Sequence, residues 1–146
     1  MDILKLLIDL VAASVGAAGF GLLFRVEGKK LLPGALIGGL GYLVYDIVTV
    51  LSASPIFGVF AAGLFIGILT DLSAHFFRTP SVVFATMGII PLVPGYGMFH
   101  TMELFVQGDS AGGLAACMET LLIAGALAMS LGFATVFSRL LRQKKA

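Results

Sequence analysis

The chain has 146 residues, 59% of them hydrophobic and 12% charged, with a mean hydropathy of +1.07. Soluble domains are roughly 45–50% apolar and about 25% charged, so a soluble fold of this length is excluded. The net charge of +1, with basic residues at segment ends rather than in one patch, argues against nucleic acid, and the single cysteine, Cys117, excludes an internal disulfide.

A membrane span needs roughly 20 mostly apolar residues. Five segments qualify: residues 3–24, 31–51, 55–77, 81–106 and 113–137. The first is too long, and its start too weakly basic, for a cleaved signal peptide, so it reads as a span. Turns fall at "RVEGKK", "SASP", "RTP" and "QGDSAGG". Pro33, Pro55 and Pro80 are expected at or near helix starts, where a missing N–H costs little. The connections are short, which predicts one all-α transmembrane domain over residues 1–146, a five-span helix bundle. Gly34 and Gly38, Gly58 and Ala62, and Gly63 and Gly67 are spaced by four and predict close helix packing.

Charge placement orients the bundle. Arg25, Lys29 and Lys30 fall in the first loop, Arg78 in the third, and Arg139, Arg142, Lys144 and Lys145 after the last span. Five spans put all of these on one side and leave Lys5 on the other. The positive-inside rule then predicts an outer amino terminus and a cytoplasmic carboxyl terminus in a bacterial-type cell membrane. Four or six spans would split the basic clusters. No segment remains for a nucleotide site, which argues against a primary pump.

The fourth segment contains "IIPLVPGYGMF". Pro91 and Pro94 each remove a backbone donor and crowd the preceding turn, and Gly95 and Gly97 permit backbone angles that other residues avoid. The prediction is a discontinuous helix: half-helices at residues 82–90 and 98–106 joined by a non-helical link near the midplane. Such backbone persists at depth only when buried in protein or lining a water-filled cavity. Free N–H groups among Gly95, Tyr96, Gly97 and Met98 would give the second half a positive end suited to a carboxylate. Pro91, Pro94, Gly95, Tyr96, Gly97 and Met98 are therefore the candidate substrate-binding residues. A kink satisfied by neighbouring helices is the alternative.

Ionisable residues inside spans cost at least about 2.5–3.5 kcal/mol and need a reason. Asp71, His75 and Arg78 recur at i, i+4 and i+7, as a cytoplasmic gate or proton relay, or as an ion-pair network joining helices. Asp46 follows Tyr42 by one turn, and their face either lines a cavity or merely satisfies the carboxylate. His100 and Glu103 lie in the second half-helix and are candidates for proton coupling; otherwise they are polar contacts near the outer surface. Glu119 and Asp9 lie near outer helix ends, within reach of water. Asp2 and Asp109 are expected to be exposed, and Glu27 belongs to the first loop. Two distant histidines without ligand spacing predict no metal and no cofactor. No serine or cysteine has a base beside it in a motif, so no enzyme is expected.

At "RTPSVVFATMGIIPLVPGYGMFHTM" the chain resembles the threonine/serine exporter family. Arg78, Pro80, Val83 and Phe84, Ile90 and Pro91, Pro94 and Gly95, and Thr101 and Met102 match that family's pattern. "GFGLLFRV" at residues 19–26 is similar to the end of its first span. The resemblance is to the small membrane subunit, equivalent to the carboxyl-terminal half of the fused exporters. It implies a larger membrane subunit as partner, and export of threonine and serine, or of dicarboxylates such as succinate, driven by the proton motive force. Two other arrangements remain open: a homo-oligomeric channel or transporter working alone, and a non-transporting subunit that stabilises its partner.

Overall fold

The computed structural model describes residues 3–26 and 28–143. Asp2, Glu27, Lys144 and Lys145, and the side chains of Arg139 and Arg142, lie outside the described residues. The described chain is an all-α bundle: α1 (Ile3–Leu23), α2 (Gly28–Ser52), α3 (Pro55–Phe76), α4 (Ser81–Ile89), a 3₁₀ turn (Ile90–Leu92), α5 (Gly95–Val106) and α6 (Ser110–Gln143). Helices α1, α2, α3 and α6 are each long and apolar enough to cross a membrane. Residues of α4, the turn and α5 form a fifth candidate, bent by 46°. This is a multi-pass membrane protein.

Local chemistry sets the helix ends. Pro55 opens α3 behind an extended Ser54, where its missing N–H has no intrahelical partner to lose. At the other end of α3, Phe77 N–H donates to Ser73 O at 2.9 Å and Thr79 N–H to Ala74 O at 3.0 Å. Asp109 Oδ1 accepts from Gly112 N–H at 2.9 Å and caps the start of α6. Pro33 departs from the expectation: α2 begins at Gly28, so Pro33 lies inside the helix. Its missing N–H removes the usual bond to the Lys29 carbonyl, which lies in the first turn of α2. Helix α6 is also longer than expected, with 34 residues, roughly 50 Å at the standard rise, so it outruns the hydrocarbon core.

The small residues act as packing surfaces. A Cβ on Gly63 would collide with Ser130, one on Gly67 with Ala134, and one on Gly58 with Thr49. Gly34 receives the Met87 side chain, whose Sδ would be 2.5 Å from an added Cβ. Ala62, Ile66 and Phe84 are fully buried where α2, α3, α4 and α6 meet. Outward residues such as Val11, Val15, Leu72 and Phe76 are large, apolar and exposed, as a lipid-facing surface requires.

The same contacts set the depth of the break. An added Cβ on Gly88 would lie 2.8 Å from Ile66 Cγ2, and one on Gly38 3.6 Å from Pro91 Cγ. Ile66 is central in α3 and Gly38 lies near the middle of α2. The helix interruption therefore sits at mid-depth in the bundle.

Candidate transport site

The chain reaches the break in stages. Helix α4 ends at Ile89, and Pro91 tightens the next three residues into the 3₁₀ turn rather than ending the helix outright. Val93 is extended (φ −61°, ψ 128°), the conformation that a following proline enforces. Helix α5 then starts at Gly95, three residues earlier than expected.

Only part of the expected amide set is free. Gly95 N–H donates to Val93 O at 2.7 Å and Met98 N–H to Pro94 O at 3.1 Å. Pro94 has no N–H. Tyr96 and Gly97 are left with amides that have no acceptor among the described residues. Gly95 also departs from expectation: it is an ordinary helical residue whose added Cβ would meet nothing within 4 Å. Gly97 is the tight position, 2.5 Å from Thr120 Oγ1 by the same construction.

A cavity of about 380 Å³ opens beside the break, within the roughly 300–1,000 Å³ of small-molecule pockets. Pro91, Pro94, Tyr96, Gly97 and His100 line it from the break and α5; Tyr42 and Tyr45 from α2; Glu119 and Thr120 from α6. Its apolar floor includes Val59, Leu92 and Ile123. The two free amides thus belong to residues that border a half-open, partly apolar space, where a charge-assisted hydrogen bond would strengthen on closure.

One face of α5 carries a polar ladder. The Tyr96 and His100 rings stack with centroids 5.7 Å apart and planes 8° from parallel. His100 Nδ1 lies 3.3 Å from Glu103 Oε2, and Gln107 Nε2 donates to Glu103 Oε1 at 3.3 Å. The side chains of His100 and Glu103 are 41% and 44% exposed. Glu103 and Met98 do not line the cavity, nor does Gly95.

Other expected residues separate from this site. Asp46 faces Asp9 and Lys5 of α1, and its Oδ2 is buried without a hydrogen-bond partner. Asp71, His75 and Arg78 gather around a second cavity at the opposite end of the bundle. Among the described residues no group of His, Cys, Asp and Glu could hold a metal ion. Sequence reasoning missed Glu119, Tyr45 and Thr120, and missed Asp9 as the neighbour of Asp46. An acidic residue about two turns inside the last span was the available signal for Glu119, since a carboxylate there needs water or a polar neighbour.

A family model described as "Threonine/Serine exporter, ThrE" matches residues 9–137. The chain belongs to the threonine/serine exporter family. An uncharacterized protein of Haemophilus influenzae is 32% identical over 104 residues, covering 71% of this chain and 35% of that protein. A protein of Mycobacterium tuberculosis named "Probable threonine/serine exporter" is 30% identical over 137 residues, covering 90% of this chain and 25% of that protein. This family member therefore spans about a quarter to a third of the length of these relatives. No solved structure matches it. The matched region contains the break, both walls of the cavity and the polar ladder of α5.

Proposed function

We propose that this chain is the membrane subunit of a two-component secondary exporter for small carboxylate-bearing metabolites, threonine and serine or dicarboxylates such as succinate. One observation carries the reading. A helix starts at mid-depth with the Tyr96 and Gly97 amides unbonded, beside a cavity large enough for a small solute. A helix start of this kind favours a carboxylate, the group that both substrate classes share. Tyr42, Tyr45, Thr120 and Glu119 supply hydroxyls and one carboxylate for the remainder of the solute.

The partner is argued from what the chain leaves uncovered. Helix α5 packs chiefly on α6 and leaves its His100–Glu103–Gln107 ladder exposed, whereas ionisable side chains of spans normally face protein or a water-filled cavity. A larger membrane subunit of the same family would cover that ladder and close the cavity. His100 and Glu103 are the groups we assign to proton coupling under the proton motive force. The basic residues at the turns favour an outer amino terminus and a cytoplasmic carboxyl terminus. The test is efflux of isotope-labelled threonine, serine and succinate from cells carrying this chain, its family partner, both or neither. Efflux that needs both chains supports the proposal, and efflux unchanged by this chain rejects it.

A further inference from the structure

We infer that the second cavity, between the end of α3 and the start of α4, is an oxyanion-binding site at the basic end of the bundle. It is an open cleft of about 670 Å³, lined by the half-buried Asp71 and Thr79 and the exposed His75, Arg78 and Ser81, among others. It shares no residue with the cavity at the break. The last two turns of α3 bring Asp71 and His75 to one wall, because residues spaced by four share a helix face, and the turn beyond Phe76 adds Arg78.

Arg78 is held there by the turn itself. Its φ of 48° is a conformation normally left to glycine. The turn is closed by Thr79 N–H on Ala74 O at 3.0 Å and by Thr79 Oγ1 donating to Phe77 O at 3.0 Å. Helix α4 opens across the same space behind Pro80, with no side-chain cap. Val83 N–H donates to Pro80 O at 3.2 Å, and the amides of Ser81 and Val82 have no acceptor among the described residues. A planar guanidinium, an imidazole and a positive helix end thus border one cavity. That donor set suits the oxygens of a carboxylate or phosphate.

Two sources could supply this oxyanion. One is the carboxylate of the solute awaiting export, which rests on the proposed function. The other is the phosphate of a lipid headgroup, which does not.

The chain's two histidines separate the possibilities, since His75 lines this cavity and His100 the other. The full chain, labelled isotopically at histidine, is placed in micelles of the phosphate-free detergent dodecyl maltoside and titrated with L-threonine and with succinate. A parallel series adds phosphatidylglycerol stepwise. The expected result is a saturable shift of the His75 resonance, and a midpoint at least about tenfold higher in Arg78→Gln. A wild-type His100 resonance in that variant shows the fold intact. If it is disturbed, Arg78→Lys, which keeps the charge but loses the fork, decides on the same criterion. Response to threonine or succinate assigns the solute, and response to phosphatidylglycerol alone assigns the lipid. A His75 resonance that answers none of the three, or answers equally without Arg78, overturns the site. Binding at His75 in a chain that supports no efflux would leave the site standing and remove the exporter reading.

Discussion

A Cβ on Gly97 would lie 2.5 Å from Thr120 Oγ1, so α5 and α6 meet with no room for a methyl group beside the cavity that both residues line. Neither partner yields readily. Thr120 Oγ1 donates to Ala116 O at 2.7 Å, and Thr101 Oγ1 donates to Gly97 O at 2.8 Å. The contact fixes how far α5 stands from α6, and with it where the Tyr96 and Gly97 amides sit.

Gly97→Val should therefore push α5 off α6, at a cost of about 1–3 kcal/mol typical of overpacking, and efflux should fall with the displaced amides. Gly97→Ala should show a smaller loss, and its cost should shrink in a Thr120→Ala background, where the colliding atoms are gone along with one solute-facing hydroxyl. A double-mutant cycle on substrate affinity measures the coupling. Additive effects would mean that the contact does not position the site.

The α3–α6 seam is a separate, purely structural test. Gly67→Leu places a branched side chain against Ala134, which is fully buried, and should destabilise the bundle by about 1–3 kcal/mol in a thermal melt in detergent. Gly125→Ala, with nothing within 4 Å of the new Cβ, should stay within about 0.5 kcal/mol. Gly113→Ala is not a silent control despite lying near a helix start, because the Phe105 ring would be 2.9 Å away.

Much of this fold could be read from the sequence because membrane spans obey length and hydropathy rules that act locally. The proline pair marked the break for the same reason. The mistakes came from tertiary placement. Gly95 and Gly97 look alike in "PGYG", yet only Gly97 meets another helix, and that depends on where α6 lies. Only two of the four expected amides are free, because Val93 and Pro94 supply carbonyls for Gly95 and Met98. Glu119 was assigned to water because its distance from a helix end was visible while its facing side was not. Asp71, His75 and Arg78 shared a face by periodicity, but no spacing rule announces the cavity that they border.

Topology has its own measurement. Single cysteines introduced at Asp109 and beside Lys144, in a chain with Cys117 replaced by serine, should be labelled by an impermeant reagent from opposite sides of the membrane. The position near Lys144 should react only from the cytoplasm, as the basic turns require. The reverse pattern, Asp109 labelled from the cytoplasm and the position near Lys144 from outside, would mean that α4 and α5 form a re-entrant loop rather than a bent span.

In this mechanism the interrupted helix presents its amides to a carboxylate. Pro94→Ala withdraws them, because it releases Val93 from its extended conformation and lets helix run through the break. The measurement is efflux of labelled threonine and succinate from cells with matched membrane levels of wild type and Pro94→Ala, the partner chain present in both. Losing charge-assisted hydrogen bonds worth roughly 1.5–3 kcal/mol each predicts efflux at subsaturating substrate more than about tenfold lower in the variant. Gly95→Ala, whose Cβ meets open space, should match wild type. Equal efflux from Pro94→Ala and wild type would contradict the account and reduce the break to a kink.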